Sequence, residues 1–105
     1  MIGRGDIRWF RFARPDKRRP VVVLGRPEVM ESLSQLVVVP CTTVIRGLPW
    51  EVILDERDGM VVRCTLRVAW IRAVARQELG ACITRFPESR FEELRRAVIA
   101  GLGLE

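Results

Sequence analysis

Ile7, Trp9 and Arg11 alternate with Arg8, Phe10 and Phe12 near the start of the chain. A two-residue period rich in aromatics predicts a first strand there. Residues 13–19 (Ala-Arg-Pro-Asp-Lys-Arg-Arg) are polar, break the period and predict a loop. Pro20 then opens Val21-Val22-Val23-Leu24, a continuous apolar run of strand length that needs cover on both faces. Gly25 and Pro27 end it, and residues 28–35 show no clear period, with room for one helical turn. Leu36-Val37-Val38-Val39 reads as a second buried strand, carried on through Pro40-Cys41-Thr42-Thr43 to Ile45. Turns at residues 46–49 and 55–59 bracket a strand over residues 50–54, and a long β-rich stretch is expected from Val61 to Val74.

The end of the chain changes period. Pro87 suits the first position of a helix, where its missing N–H is harmless. Phe91, Leu94, Val98 and Leu102 recur at helical spacing, while Glu88, Arg90, Glu92, Arg95 and Arg96 fall mainly on the other faces. A terminal helix docked by its apolar stripe is expected, with Gly101 and Gly103 stopping it. Many short strands, close turns and a helix only at the end predict a mainly β small barrel with a C-terminal helix. The 105 residues fit one domain, 1–105, without internal repeats.

Charge narrows the partners. Eighteen Lys and Arg against thirteen Asp and Glu leave a net +5, and Lys17 is the single lysine. Arginine favours planar, forked recognition of phosphate or carboxylate, so nucleic acid or an acidic protein is the expected partner class, with a merely solvated surface as the bland alternative. No apolar run approaches the roughly 18 residues of a membrane span, and the first residues show no apolar leader pattern. A cytoplasmic protein with no membrane partner is expected. Cys41, Cys64 and Cys82 lack Cys-x-x-Cys spacing and are expected to be reduced and buried. Histidine is absent, which removes Ser-His and Cys-His nucleophile pairs, histidine acid–base catalysis and most zinc sites. No metal and no cofactor are expected. An enzyme built from this sequence has to work by positioning and arginine electrostatics.

Several local signals fall in one order. Gly5-Asp6-Ile7 leads into Trp9 and Phe12, and Arg19-Pro20-Val21-Val22-Val23-Leu24 follows. Val39-Pro40-Cys41-Thr42-Thr43 precedes Gly47, Pro49 and Glu51-Val52; Glu56-Arg57-Asp58-Gly59 and Ile71-Arg72-Ala73-Val74 come later. In these motifs the sequence resembles MazF/PemK-type toxins over nearly its whole length. The resemblance implies an SH3-like small barrel of the MazF/PemK/CcdB kind and a homodimer. It also implies a ribosome-independent, sequence-specific endoribonuclease (an mRNA interferase) that cuts single-stranded RNA and is opposed by an acidic antitoxin. It makes Arg19 and Thr42 the catalytic pair, with a 2′,3′-cyclic phosphate as the product type.

The chemistry of those two residue types fits that role. RNA carries its own nucleophile, the 2′-hydroxyl beside the scissile phosphate, so the protein has to hold it in line and stabilise charge on the phosphoryl oxygens. A guanidinium fork donates paired hydrogen bonds to two oxygens, and a threonine hydroxyl orients the phosphate. The bland alternative makes Arg19 a solvated loop cation and Thr42 an ordinary strand residue. Asp16, Lys17, Arg18, Thr43, Arg46 and Arg67 form the expected RNA-binding set, with Arg72 a weaker member; solvated faces explain any one of them equally well. Trp50 is expected to pack beside Pro49 rather than stack a base. Cys41, with no histidine to activate it, is not expected to act as a nucleophile. The loop over residues 13–19 is shorter than in many relatives, and its sole acid, Asp16, leaves the general base open. Trp70 stands where the family often places a Gln or Asn that contacts a base. Two other readings remain: a non-catalytic gyrase inhibitor like the CcdB toxins, and an RNA-binding barrel without activity.

Overall fold

The computed structural model describes residues 1–13 and 17–105 of the chain. Strands β1 (Asp6–Arg11), β2 (Arg18–Leu24), β3 (Gln35–Thr42), β4 (Val52–Leu54), β5 (Cys64–Leu66), β6 (Arg72–Ala75) and β7 (Cys82–Arg85) form one antiparallel sheet, accompanied by α1 (Pro27–Glu31) and α2 (Phe91–Leu102). The hydrogen-bonded order is β4-β5-β3-β2-β1-β7, with β6 also pairing β3. This is the mainly β architecture with a C-terminal helix that the sequence predicts.

The two valine-rich strands are covered on both faces, as their unbroken apolar runs require. Ile7, Val22, Val39 and Cys41 point to one side, where they meet Leu54, Leu66, Phe86 and, from α2, Leu94 and Ala97. Phe10, Val21, Val23, Leu36, Val38 and Val74 point to the other, under Met30 of α1. The segment with no clear period thus supplies a small lid. Fully burying one valine is worth about 1.5–3 kcal/mol. A one-residue slip would exchange the two sets of side chains, so packing fixes the pairing of Val22 with Val39 and Val23 with Val38.

Several expectations need correction. β2 begins at Arg18, before the apolar run, because Arg18 and Arg19 pair with Arg11 and Phe10 of β1; both arginines are strand residues rather than loop residues. β3 stops at Thr42 and not at Ile45. The stretch from Val61 to Val74 is no continuous strand: it divides into β5, a 3₁₀ turn at Val68–Trp70 and the start of β6. Val61 and Val62, apolar but unpaired, stand 93% and 58% exposed. β7 had no clear signal; its four residues owe their strand to pairing with β1.

Pro87 precedes a 3₁₀ turn, Glu88–Arg90, that leads into α2. Gly103, in the left-handed region at φ 69°, ends the helix as expected. Gly101 does not: it lies inside α2, where a Cβ would run into Val68 Cγ2 and come within 3.3 Å of Trp50 Cβ. Glycine is needed there for close approach, and Trp50 packs against the helix. Cys41 and Cys64 are buried, but Cys82, on β7, is exposed.

Candidate active site

β2 and β3 run side by side only as far as the pair Val21–Pro40. Two residues further along each strand stand Arg19 and Thr42. Pro20 and Pro40 have no N–H to offer a ladder. Beyond Pro40, β3 changes partner: Cys41 pairs with Leu66 and Thr42 with Thr65 of β5. The two strands therefore part, and a cavity of about 480 Å³ opens between them. Lys17, Arg18, Arg19 and Pro20 line one side; Cys41, Thr42 and Thr43 line the other. Trp9 and Ile83, with Met60, Val61, Val62 and Cys64, complete an apolar surround.

The polar groups of this cleft are anion-seeking. The described lining carries three cations and two hydroxyls and no carboxylate. Thr42 is 5% exposed, and its Oγ1 accepts the Val44 N–H at 3.2 Å. That bond fixes the hydroxyl and leaves its own hydrogen to donate. Arg18 lies over the Trp9 ring, 4.3 Å from its centroid, and Arg19 stands 5.6 Å from the centroid of Trp70. These ring contacts set both positive charges beside the cavity. A hydrogen bond with Cys64 and burial push the Cys41 thiol well above its ordinary value; it stays protonated, a poor nucleophile.

Of the expected site residues, Lys17, Arg18, Arg19, Thr42 and Thr43 come together at this cavity. Arg46 and Arg67 are not among its lining. The Arg46 backbone N–H donates to the Glu51 carboxylate, which also accepts from Leu48; Arg67 lies 4.2 Å over the Trp70 ring. Asp16 falls outside the described residues. Trp9, Met60, Val61, Val62 and Ile83 border the cavity without having been singled out as site residues. Two adjacent valines after Gly59-Met60 were a usable signal, since they continue no alternating pattern.

The architecture is a mainly β half-barrel sheet with a C-terminal helix, whose central strands part around an arginine- and threonine-lined cleft. The chain belongs to the PemK-like, MazF-like toxin family of type II toxin–antitoxin systems, which it matches over residues 3–102. It is 48% identical over 60 residues to the probable endoribonuclease MazF5 of Mycobacterium tuberculosis, a match taking in 57% of this chain and 54% of that protein, so it spans about half the relative's length. A probable endoribonuclease MazF2 of the same organism is 33% identical over 101 residues, 95% of this chain and 97% of that protein. Among solved structures, the Mycobacterium tuberculosis toxin MazF-mt6 superposes with a TM-score of 0.85 at 28% identity, over 95% of this chain and 98% of that one.

Proposed function

We propose that this chain is a metal-independent endoribonuclease that cuts single-stranded RNA, mRNA included, at a short sequence. The observation that carries the reading is that Arg19 and Thr42, on strands that part beside them, both line one cation-bearing cavity. There the Arg19 fork holds two phosphoryl oxygens as charge builds on them, and the Thr42 hydroxyl donates to the same phosphate. The substrate's 2′-hydroxyl gives up its proton as its oxygen bonds to phosphorus, while the bond to the 5′-oxygen breaks and that oxygen takes up a proton. One product ends in a 2′,3′-cyclic phosphate and the other in a 5′-hydroxyl. A described lining of cations and hydroxyls suits a phosphate far better than a hard divalent ion, which takes carboxylate oxygens. Membership of a toxin–antitoxin family supports an acidic antitoxin as partner; its carboxylates would meet the cations that otherwise meet phosphate, so RNA and antitoxin compete. Related toxins support a homodimer, and an enzyme of mRNA acts in the cytoplasm. Among the described residues no helix is long and apolar enough to cross a membrane.

Neither a gyrase inhibitor nor an inactive RNA-binding barrel requires the Arg19–Thr42 pair. The test is incubation of the purified protein with a long RNA in EDTA, followed by mapping of the ends. Cuts at a recurring short sequence with cyclic phosphate termini are expected; intact RNA would overturn the reading.

A further inference from the structure

The cleavage proposed above uses neither Cys41 nor Cys64, yet both line the large cavity. Cys41 pairs with Leu66 across β3 and β5, and Cys64 stands two residues before Leu66 on an alternating strand. The two thiols are therefore diagonal neighbours on one face, and both belong to the core cluster that meets α2. They share a hydrogen bond, which acts in opposite directions on the two sulfurs. It pushes the Cys41 thiol up, as burial also does. It holds Cys64 below its ordinary value, although burial and the Asp58 charge push the other way. Cys41 is thus the donor, and Cys64 the sulfur that gives up its proton. Both are nearly buried, at 1% and 4% exposed, so the cavity they line is their route to a reagent.

We propose that Cys41 and Cys64 form an oxidant-sensitive dithiol, a modification site for hydroperoxides, whose disulfide shuts the cleft beside Thr42. The Cys64 thiolate attacks one oxygen of hydrogen peroxide and the O–O bond breaks. The hydroxide that leaves takes a proton and becomes water, and Cys64 is left as a sulfenic acid. The Cys41 sulfur then attacks the Cys64 sulfur, gives its proton to the departing hydroxyl, and a second water leaves as the disulfide forms. Two thiols are oxidised and one peroxide is reduced. Diagonal neighbours stand roughly 7–8 Å apart, at the edge of what a disulfide spans without backbone movement. The structure has room for that movement, because Cys64 opens β5 and residues 60–63 before it belong to no strand. The bond draws Met60, Val61 and Val62, which also wall the cavity, toward the residue that precedes Thr42. A strained disulfide is readily reduced, and a reducing compartment keeps such thiols free until oxidant rises. The effect on cleavage rests on the endoribonuclease reading above; the oxidation of the pair does not.

The experiment uses the full chain carrying Cys82→Ser, which removes the exposed third thiol. The reduced protein is treated with a small excess of hydrogen peroxide. Intact mass, a peptide map, melting temperature and single-turnover cleavage of a defined RNA are recorded before and after dithiothreitol. Loss of two hydrogens and a Cys41–Cys64 link are expected. Cleavage should fall at least about tenfold, since misplacing a reacting group by about 1 Å costs that much or more, and dithiothreitol should restore it. With Cys41→Ser added, oxidation should stop at a Cys64 sulfenic acid that dimedone traps. With Cys64→Ser added, Cys41 should stay unreacted and peroxide should leave that variant's rate as it was. Both thiols free after treatment, or a link that leaves cleavage unchanged, overturns the proposal. Should the serine variants fail to fold, the mass and rate of the Cys82→Ser protein decide alone. A reduced protein that forms the link but cuts no RNA keeps the modification site and sinks the nuclease reading.

Discussion

At the start of β1, Asp6 is 3% exposed and accepts hydrogen bonds from the Gly3 N–H and Arg8 Nε, both at 3.0 Å, and from Arg85 Nη2 at 3.4 Å. Arg8 spends its other nitrogens on the carbonyls of Gly80 and Met1. At the far end of the β1–β2 pair, Arg18 lies on Trp9, while Arg67 and Arg72 lie on Trp70 and Phe12. Around Asp6 hydrogen bonds to acceptors hold Arg8 and Arg85, though Arg4 there lies 4.4 Å over the Phe91 ring; at the far end ring contacts dominate. Arg8 serves as a staple, since each of its three guanidinium nitrogens has a protein acceptor. Arg18, Arg67 and Arg72 are instead placed by a ring, which takes up none of their N–H donors. Arg90 belongs with the staples: it bonds Asp58, Glu93 and the Ile53 carbonyl, tying α2 to β4.

The strongest way to break this contrast is Arg19→Lys. Charge is kept, so long-range attraction to an RNA backbone should change little; the planar fork is lost. Losing one preorganised donor costs about 3 kcal/mol, on the order of a hundredfold in rate. Single-turnover cleavage of a defined RNA should fall by that factor, with melting almost unchanged. Thr42→Ala should also slow cleavage, and the double variant should be less than additive because both side chains serve one phosphate. A Lys variant that cuts at near wild-type rate would make Arg19 a plain backbone-binding cation.

Asp6→Asn should do the reverse. It leaves buried donors short of a charged acceptor, at a cost of about 2 kcal/mol. For a domain this small that lowers the melting temperature by on the order of 10 °C, with cleavage per folded molecule unchanged. Burial alone would raise the Asp6 carboxyl, but the Gly3 N–H and the Arg8 and Arg85 guanidinium groups hold it below the usual carboxylate value. A carboxyl held low when folded adds stability above its unfolded value of about 3.9 and loses it as pH falls toward the folded value. The gap between wild type and Asp6→Asn should accordingly close below about pH 4, in melting curves taken across that range. A gap that stays constant with pH would mean that Asp6 acts by shape rather than charge.

Period and punctuation made most of this molecule legible. The valine runs announced two doubly covered strands; Pro40, which the sequence places within a strand continuing to Ile45, in fact stands where β2 and β3 part. What stayed hidden depends on tertiary contact. β7 exists because β1 offers it an edge. Gly101 mimicked a helix stop because close approach to Val68 and a left-handed cap ask for the same residue. Trp70, read as a departure from the family's pattern, gains meaning only when Arg19 and Arg67 are found against its ring. Arg8 and Arg18 look alike as letters, and nothing local says which has a carboxylate waiting.

The smallest expected effect gives the sharpest version of the comparison, because it holds net charge constant between two variants. Arg18→Gln and Arg85→Gln each remove one positive charge from exposed side chains at opposite ends of the β1–β2 region. Arg18 lines the cavity; Arg85 reaches Asp6 from a side chain that is 69% exposed. If Arg18 contacts one phosphate, its loss should reduce the slope of log affinity against log salt by roughly 0.7, the contribution of one contact to a single strand. Affinity at moderate salt should fall a few-fold. Losing the stack on Trp9 should cost no more than about 1 kcal/mol of stability at an exposed site. Arg85→Gln should leave the salt slope alone and change stability by no more than about 1 kcal/mol, since its own side chain is exposed and its bond to the buried Asp6 is long. The measurement is a salt titration of binding to an uncleavable oligonucleotide for both variants beside wild type. Equal loss of slope in the two would mean that RNA senses the net charge of the chain and not the ring-placed arginines, and the distinction between the two regions would fail for binding.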